Sequence, residues 1–298
     1  MKNNILKSLA IVCVALSMVS CSKDELSDTS VISRSQVEEN DFDRWLKVNF
    51  LTPYNISFKY RYEMKESDLN YYTVPADYDC SVIAAHLVKY LCIESYDEVA
   101  GIDFTRSYFP KMFFLIGDFE YRNNGTIILG TAEGGKKILL SGINWIRNSL
   151  GNAELMNTYY IKVIHHEFAH ILNQMVDYPA DFKEITGSGY VADSWSVEPY
   201  VTDYLKNGFI SSYAQHSHQE DFAEMMSFYV TKSPEWWDAQ LAAAGESGAN
   251  YIKLKLDIVR DYLQENFNID IDELRDVIIR RQEDVVSGRL DLSDLTIK

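Results

Sequence analysis

Cysteine is scarce in this chain, with 4 in 298 residues. Cys13 falls inside an N-terminal apolar run and Cys21 just after it, so only Cys80 and Cys92 lie in the body. No Cys-x-x-Cys pair exists, so no thiolate zinc site is visible. Cys80 and Cys92 share one helical pattern, and a rise of about 1.5 Å per residue sets them roughly 18 Å apart, too far to bridge. They read as buried, apolar-like residues. Positive charge is also short: 28 Lys and Arg face 44 Asp and Glu, a net charge of −16. A duplex binder needs basic side chains to displace counterions, so nucleic acid is excluded as a partner. Docking on anionic lipid through a basic face is excluded for the same reason. Internal repeats and long low-complexity runs are absent. What remains is 47% hydrophobic and 24% charged, the balance of an ordinary globular protein with room for one large domain or two modest lobes.

The first twenty residues form a leader. Lys2 and Lys7 precede an apolar run, Leu9 to Val19, that is too short to span a bilayer comfortably. It ends in Leu16-Ser17-Met18-Val19-Ser20-Cys21, which resembles the bacterial lipobox. That resemblance implies cleavage after residue 20, lipidation of Cys21 and attachment to a membrane through the lipid alone. The plainer alternative is a secreted, unlipidated protein. Ser22-Lys23-Asp24-Glu25 resembles the surface-export signal of Bacteroidetes lipoproteins, which implies an outer-membrane protein facing outward. Residues 21–38 are polar and acidic and read as a tether.

The body, residues 39–298, reads as α+β. A helix begins near Phe42 to Trp45. Asn55 to Tyr62 alternates as a half-buried strand does, and residues 79–97 have helical spacing with Asp79 near the N-cap. Further strands are expected at Lys111 to Gly117, Thr126 to Gly130 and Lys137 to Leu140, with a turn at Arg122-Asn123-Asn124-Gly125. Lys136 to Ile143 is a candidate edge strand for a peptide to pair with, although an internal strand fits equally. The rest is mainly helical: about Asn157 to Met175, ending before Pro179, then near 219–231, 234–244, 247–266 and 271–287, after a loop-rich stretch at 180–212. Sheet first and helices later divide the body into a sheet-containing lobe, about 39–178, and a helical lobe, about 179–298, with a site between them.

The chemistry is concentrated in His166-Glu167-Phe168-Ala169-His170. Two His four apart on a helix point the same way. At about 100° per residue, Ile161, Ile164, Phe168, Ile171, Leu172 and Met175 gather on the opposite face, so the stripe packs inward while the imidazoles face a cleft. Neutral imidazoles suit Zn²⁺, and Glu167 between them can take a proton from water without coordinating. His165 points away and reads as a partly buried, hydrogen-bonded residue. A catalytic zinc needs a third protein ligand and an open position. The positions three and six after His170 are Asn173 and Val176, so the Gly-and-His metzincin pattern fails. Glu220 and Glu224, at i and i+4, share one helix face, with Phe222, Met225, Met226 and Tyr229 on the other. Two acids at that spacing repel unless a cation or donor lies between them. Glu220 as ligand, with Glu224 holding the far nitrogen of a ligand His, removes that cost. Glu184 is the rival third ligand, as in enhancin-like metallopeptidases. Asp221 points off the Glu220 face and reads as surface. Gly187-Ser188-Gly189 reads as a plain loop, and Trp195, Trp236 and Trp237 as core.

The segment from Ser212 to Glu224 resembles the third-ligand segment of gluzincins of the anthrax lethal factor type. The resemblance implies a zincin-like two-lobed metallopeptidase fold, Glu220 as ligand and Tyr213 as the phenol that meets the oxyanion or donates a proton. His216 and His218 depart from that pattern and compete for proton donation. Lipobox, acidic tether, HExxH, the Phe182 to Tyr190 stretch and the Glu220 helix together resemble Bacteroidetes zinc metallohydrolase lipoproteins tied to TonB-linked nutrient import. That implies a peptide or glycopeptide substrate trimmed beside an outer-membrane import complex. The competing class is a substrate-binding lipoprotein of such a system whose zinc site is not catalytic. An intact Glu167 favours the enzyme, because a structural site needs no base.

Overall fold

The computed structural model describes residues 38–297 apart from 68–69, 72, 122–125 and 134–135. The leader, Cys21, nearly all of the tether and the turn at 122–125 lie outside the described residues. From Asn40 onward the chain forms one compact unit.

Helix α1, Asp41–Leu46, opens on Asn40, whose side chain accepts from Asp43 N while the Asp43 side chain accepts from Asn40 N. It buries Phe42, Trp45 and Leu46. Strand β1 is Ser57–Lys59. Helix α2, Tyr78–Leu87, is capped by Asp77, which accepts from Cys80 N at 3.0 Å, so the cap lies two residues before the expected Asp79. It runs through a wide turn into α3, Glu94–Ala100. Cys80 and Cys92 are free and buried along this stretch, as their spacing implied. Strands β2, Met112–Leu115, β3, Glu120–Tyr121, β4, Ile127–Ile128, β5, Gly130–Glu133, and β6, Lys137–Leu140, follow.

The main sheet has the order β1-β2-β6-β5. β1, β2 and β6 are parallel, while β5 runs antiparallel to β6, with Thr131 opposite Leu139. Alternation sorts the faces. Phe113, Leu115, Ile138 and Leu140 join the main core, and Phe114, Ile116 and Leu139 form a small cluster on the other face. Of the two readings open for Lys136 to Ile143, the internal strand holds: β6 lies inside the sheet, and β1 and β5 are its edges.

Among the described residues every strand precedes residue 141, and the rest is helix and loop. Helix α4, Lys162–Met175, continues a helical run from Ala153 and stops where Val176 turns extended, three residues before Pro179. Its buried stripe, Val163, Ile164, Phe168, Ile171 and Leu172, lies in the main core. α4 comes close to β5 because residue 130 is glycine: a Cβ there would stand 2.6 Å from Cγ1 of Val163. Helix α5, His218–Thr231, packs along α4. Helix α6, Pro234–Phe267, is broken at Gly245, and α7, Ile271–Val286, completes the body. The break matches the two helices read from the sequence. Gly245 has φ 69° and ψ −179°, a conformation essentially reserved for glycine. Gly245→Ala is expected to cost about 1–3 kcal/mol of stability, seen as a lower urea midpoint; an unchanged midpoint would show that the kink relaxes freely.

Candidate metal centre

One helical turn of α4 brings the imidazoles of His166 and His170 together, with Nε2 atoms 3.2 Å apart. α5 starts at Ser217, whose hydroxyl accepts from Glu220 N at 3.3 Å, and this fixes Glu220 in the first turn. Oε2 of Glu220 then lies 3.0 Å from Nε2 of His166 and 3.2 Å from Nε2 of His170. A tetrahedral ion with ligand bonds of about 2.0–2.1 Å sets its ligand atoms roughly 3.3 Å apart. The three separations, two nitrogens and one carboxylate oxygen therefore fit a small divalent cation of borderline softness.

The charges around the cluster also favour a cation. Burial disfavours charge on His166, but Glu220 and Glu224 outweigh it and hold its pKa up at about 9. Burial pushes Glu220 up, and contact with His166 and His170 more than reverses that, leaving it well below the usual carboxylate range. Glu224 is 3% exposed, with Oε1 2.8 Å from Nδ1 of His166, the ring nitrogen turned away from the cluster. Lys162 donates to Oε1 of Glu224 at 2.7 Å, and Ser211 donates to Oε2 at 2.6 Å. Lys162, chiefly, and His166 hold Glu224 ionised against its burial.

Glu167 lines the cleft on both sides of the cluster, and its carboxylate has no hydrogen-bond partner among the described residues. Tyr213 lines the β5 side, its ring 6.1 Å from that of His166 and 5.0 Å from that of Trp195. His216 stands behind Tyr213, with Nε2 3.5 Å from Asp193, and lines neither cavity. His218 is engaged through Nδ1 with the Tyr178 hydroxyl at 2.6 Å. Glu184 does not join the cluster: its side chain is 72% exposed, beside Lys183. His165 is fully buried, with Nδ1 3.0 Å from the Tyr96 hydroxyl, and burial drops its pKa to about 3.

Two readings from the sequence change here. Asp221 is not at the surface. It is fully buried, 2.6 Å from the equally buried Nζ of Lys255, and it accepts from the Tyr190 hydroxyl at 2.9 Å. Trp195 is a half-buried wall of the cleft rather than core, whereas Trp237 is core. Lys162 was missed altogether, although its place four residues before His166 puts it on the same helix face.

The cleft comprises two cavities that meet at Glu167, His170 and Glu220. The one on the β5 side is about 430 Å³ and includes Ile127, Leu129 and Val163. The other is about 760 Å³.

Comparison with known proteins agrees with this geometry. The family described as "Putative zinc-binding metallo-peptidase" matches residues 35–272. A crystal structure of a protein described as a "putative zinc-binding metallo-peptidase" from Bacteroides caccae is 40% identical, with a TM-score of 0.75, over 90% of this chain and 100% of that one. No curated protein matches the chain. With most of its length matched, including the His166–His170 helix and Glu220, the chain belongs to this family of zinc-binding metallo-peptidases.

Proposed function

We propose that this protein is a gluzincin-type zinc peptidase that hydrolyses amide bonds at the His166, His170 and Glu220 centre. The observation that carries the reading is the convergence of those three side chains in an open cleft beside Glu167, which meets no hydrogen-bond partner among the described residues. When bound, zinc supplies Lewis-acid polarisation of the scissile carbonyl and activates water. Glu167 takes the proton from the attacking water and later delivers it to the leaving amine. Tyr213 serves the carbonyl oxygen as a hydroxyl donor when negative charge builds there. Glu224, itself held by Lys162 and Ser211, orients His166 through Nδ1. The open edge of β5 offers backbone groups to a substrate in extended form. A non-catalytic binding site would have no use for a free carboxylate in the position of Glu167.

The setting we propose is the outer face of the outer membrane, with the chain held by lipid on Cys21 and cutting peptides or glycopeptides for an import complex. The lipobox, the Ser22-Lys23-Asp24-Glu25 stretch and the likeness to a Bacteroides protein support it.

The test is metal analysis of the protein from residue 22 onward, with mass spectrometry of a broad peptide and glycopeptide library. One zinc per chain and cleaved amide bonds are expected. Zinc-bound protein that cuts nothing in the library would instead favour the binding lipoprotein. Glu220→Ala is expected to lose zinc to a weak chelator while Glu184→Ala keeps it; the reverse would reassign the third ligand.

A further inference from the structure

The two halves of the cleft differ in chemistry. The β5 side sets Ile127, Ile128, Leu129 and Val163 beside Trp195 and Tyr213, with Thr126, Thr131, Lys162 and Glu224 also on its wall. On the other side, beyond the shared Glu167, His170 and Glu220, Ala180 alone lacks a polar side-chain group. Asn173, Gln174 and Gln219 bring three carboxamides to that wall, and Lys183 and Asp177 bring one charge of each sign. The polar tips stand on a rigid base. The Tyr178 ring stacks on Phe222 at 4.4 Å and meets Phe182 edge-on at 5.6 Å. The Tyr178 hydroxyl and Nδ1 of His218 share a hydrogen bond at 2.6 Å, its direction following the imidazole tautomer. Both ends of the Asn173 carboxamide are buried and meet no partner among the described residues, which is costly unless something satisfies them.

An aliphatic side chain entering this cavity would strip hydration from the polar groups on its wall without replacing their hydrogen bonds. A hydroxyl or carboxamide would replace those bonds. We propose that the 760 Å³ cavity is the subsite for a substrate residue with an uncharged hydrogen-bonding side chain, while the β5-side cavity takes an apolar one. The assignment rests on the peptidase reading above.

The test is competitive binding to full-length, zinc-loaded protein in mild detergent. Two series of short peptide hydroxamates are used, one extending only on the carbonyl side of the chelating group and one only on the amine side. Each series carries Gln, Thr, Leu or Phe next to that group. One series is expected to prefer Gln and Thr over Leu by about tenfold or more, and the other to prefer Leu and Phe. The Asn173→Leu/His218→Leu variant is expected to lose the first preference and keep the second, with zinc content as the control for folding. Apolar preference in both series, or a polar preference that survives in the variant, overturns the assignment while leaving the peptidase reading intact. If no hydroxamate binds the zinc-loaded protein, the peptidase reading falls, and the subsite with it.

Discussion

Glu167→Gln is expected to slow peptide cleavage by roughly 10²–10⁴-fold and to leave the zinc content at one per chain. The size follows from the role. Glutamine keeps the shape of the side chain but cannot accept a proton from water near neutral pH, while the metal still polarises the carbonyl. Zinc should stay because Glu167 is outside the cluster of His166, His170 and Glu220. The readouts are the rate on any peptide found to be cut and metal analysis of the same sample. A variant with near-normal rate would falsify the base assignment. A variant that lost zinc would place Glu167 among the ligands.

The largest stability effect is expected away from the cleft, at the pair Asp221 and Lys255. Both side chains are fully buried and 2.6 Å apart, and Lys255 also donates to the Gly208 carbonyl at 2.9 Å. Lys255→Met leaves a carboxylate in the interior without its cation, and such a break costs about 3–5 kcal/mol. The double variant Asp221→Leu/Lys255→Met should recover much of that loss, because the desolvated charge is gone. Urea midpoints of the two variants measure the difference; equal midpoints would mean that water reaches the pair.

The same pair makes a pH prediction. Burial pushes the Asp221 carboxyl up to about 6 despite Lys255 and Tyr190. A raised carboxyl pKa means that the folded chain holds the proton more tightly than the unfolded chain. Its contribution is complete below the ordinary value of 3.8 and is lost as pH rises through about 6. Lys255→Met removes the ammonium that lowers this pKa, so the variant should lose stability with rising pH more steeply than the wild type.

Local pattern made much of the centre legible. His166, Glu167 and His170 follow from two His four apart on a helix whose other face is apolar. Glu220 and Glu224 follow from the same reasoning on α5, and both now have named neighbours in the cluster and behind it. Local pattern failed where a partner comes from far along the chain. Asp221 does turn off the Glu220 face, as helix geometry required. What it meets there is Lys255, a turn of α6 that nothing in the sequence around Asp221 announces. Trp195 sits in a short 3-10 stretch with no period to read, and its place is set by Tyr213. Which strand lies at an edge was left open for a topological reason. β6 pairs with β2 in parallel, and the hairpin back to β5 then leaves β5 outermost. Order in a sheet belongs to the whole chain rather than to any strand in it.

That outermost strand has a consequence for the company this protein can keep. An open edge selects conformation before it selects sequence, because only a chain with free backbone donors and acceptors over several residues can lie along it. Folded neighbours have spent those groups on their own sheets and helices. A peptidase that takes its substrate along this edge would thus discriminate by whether a chain has come undone rather than by what it spells.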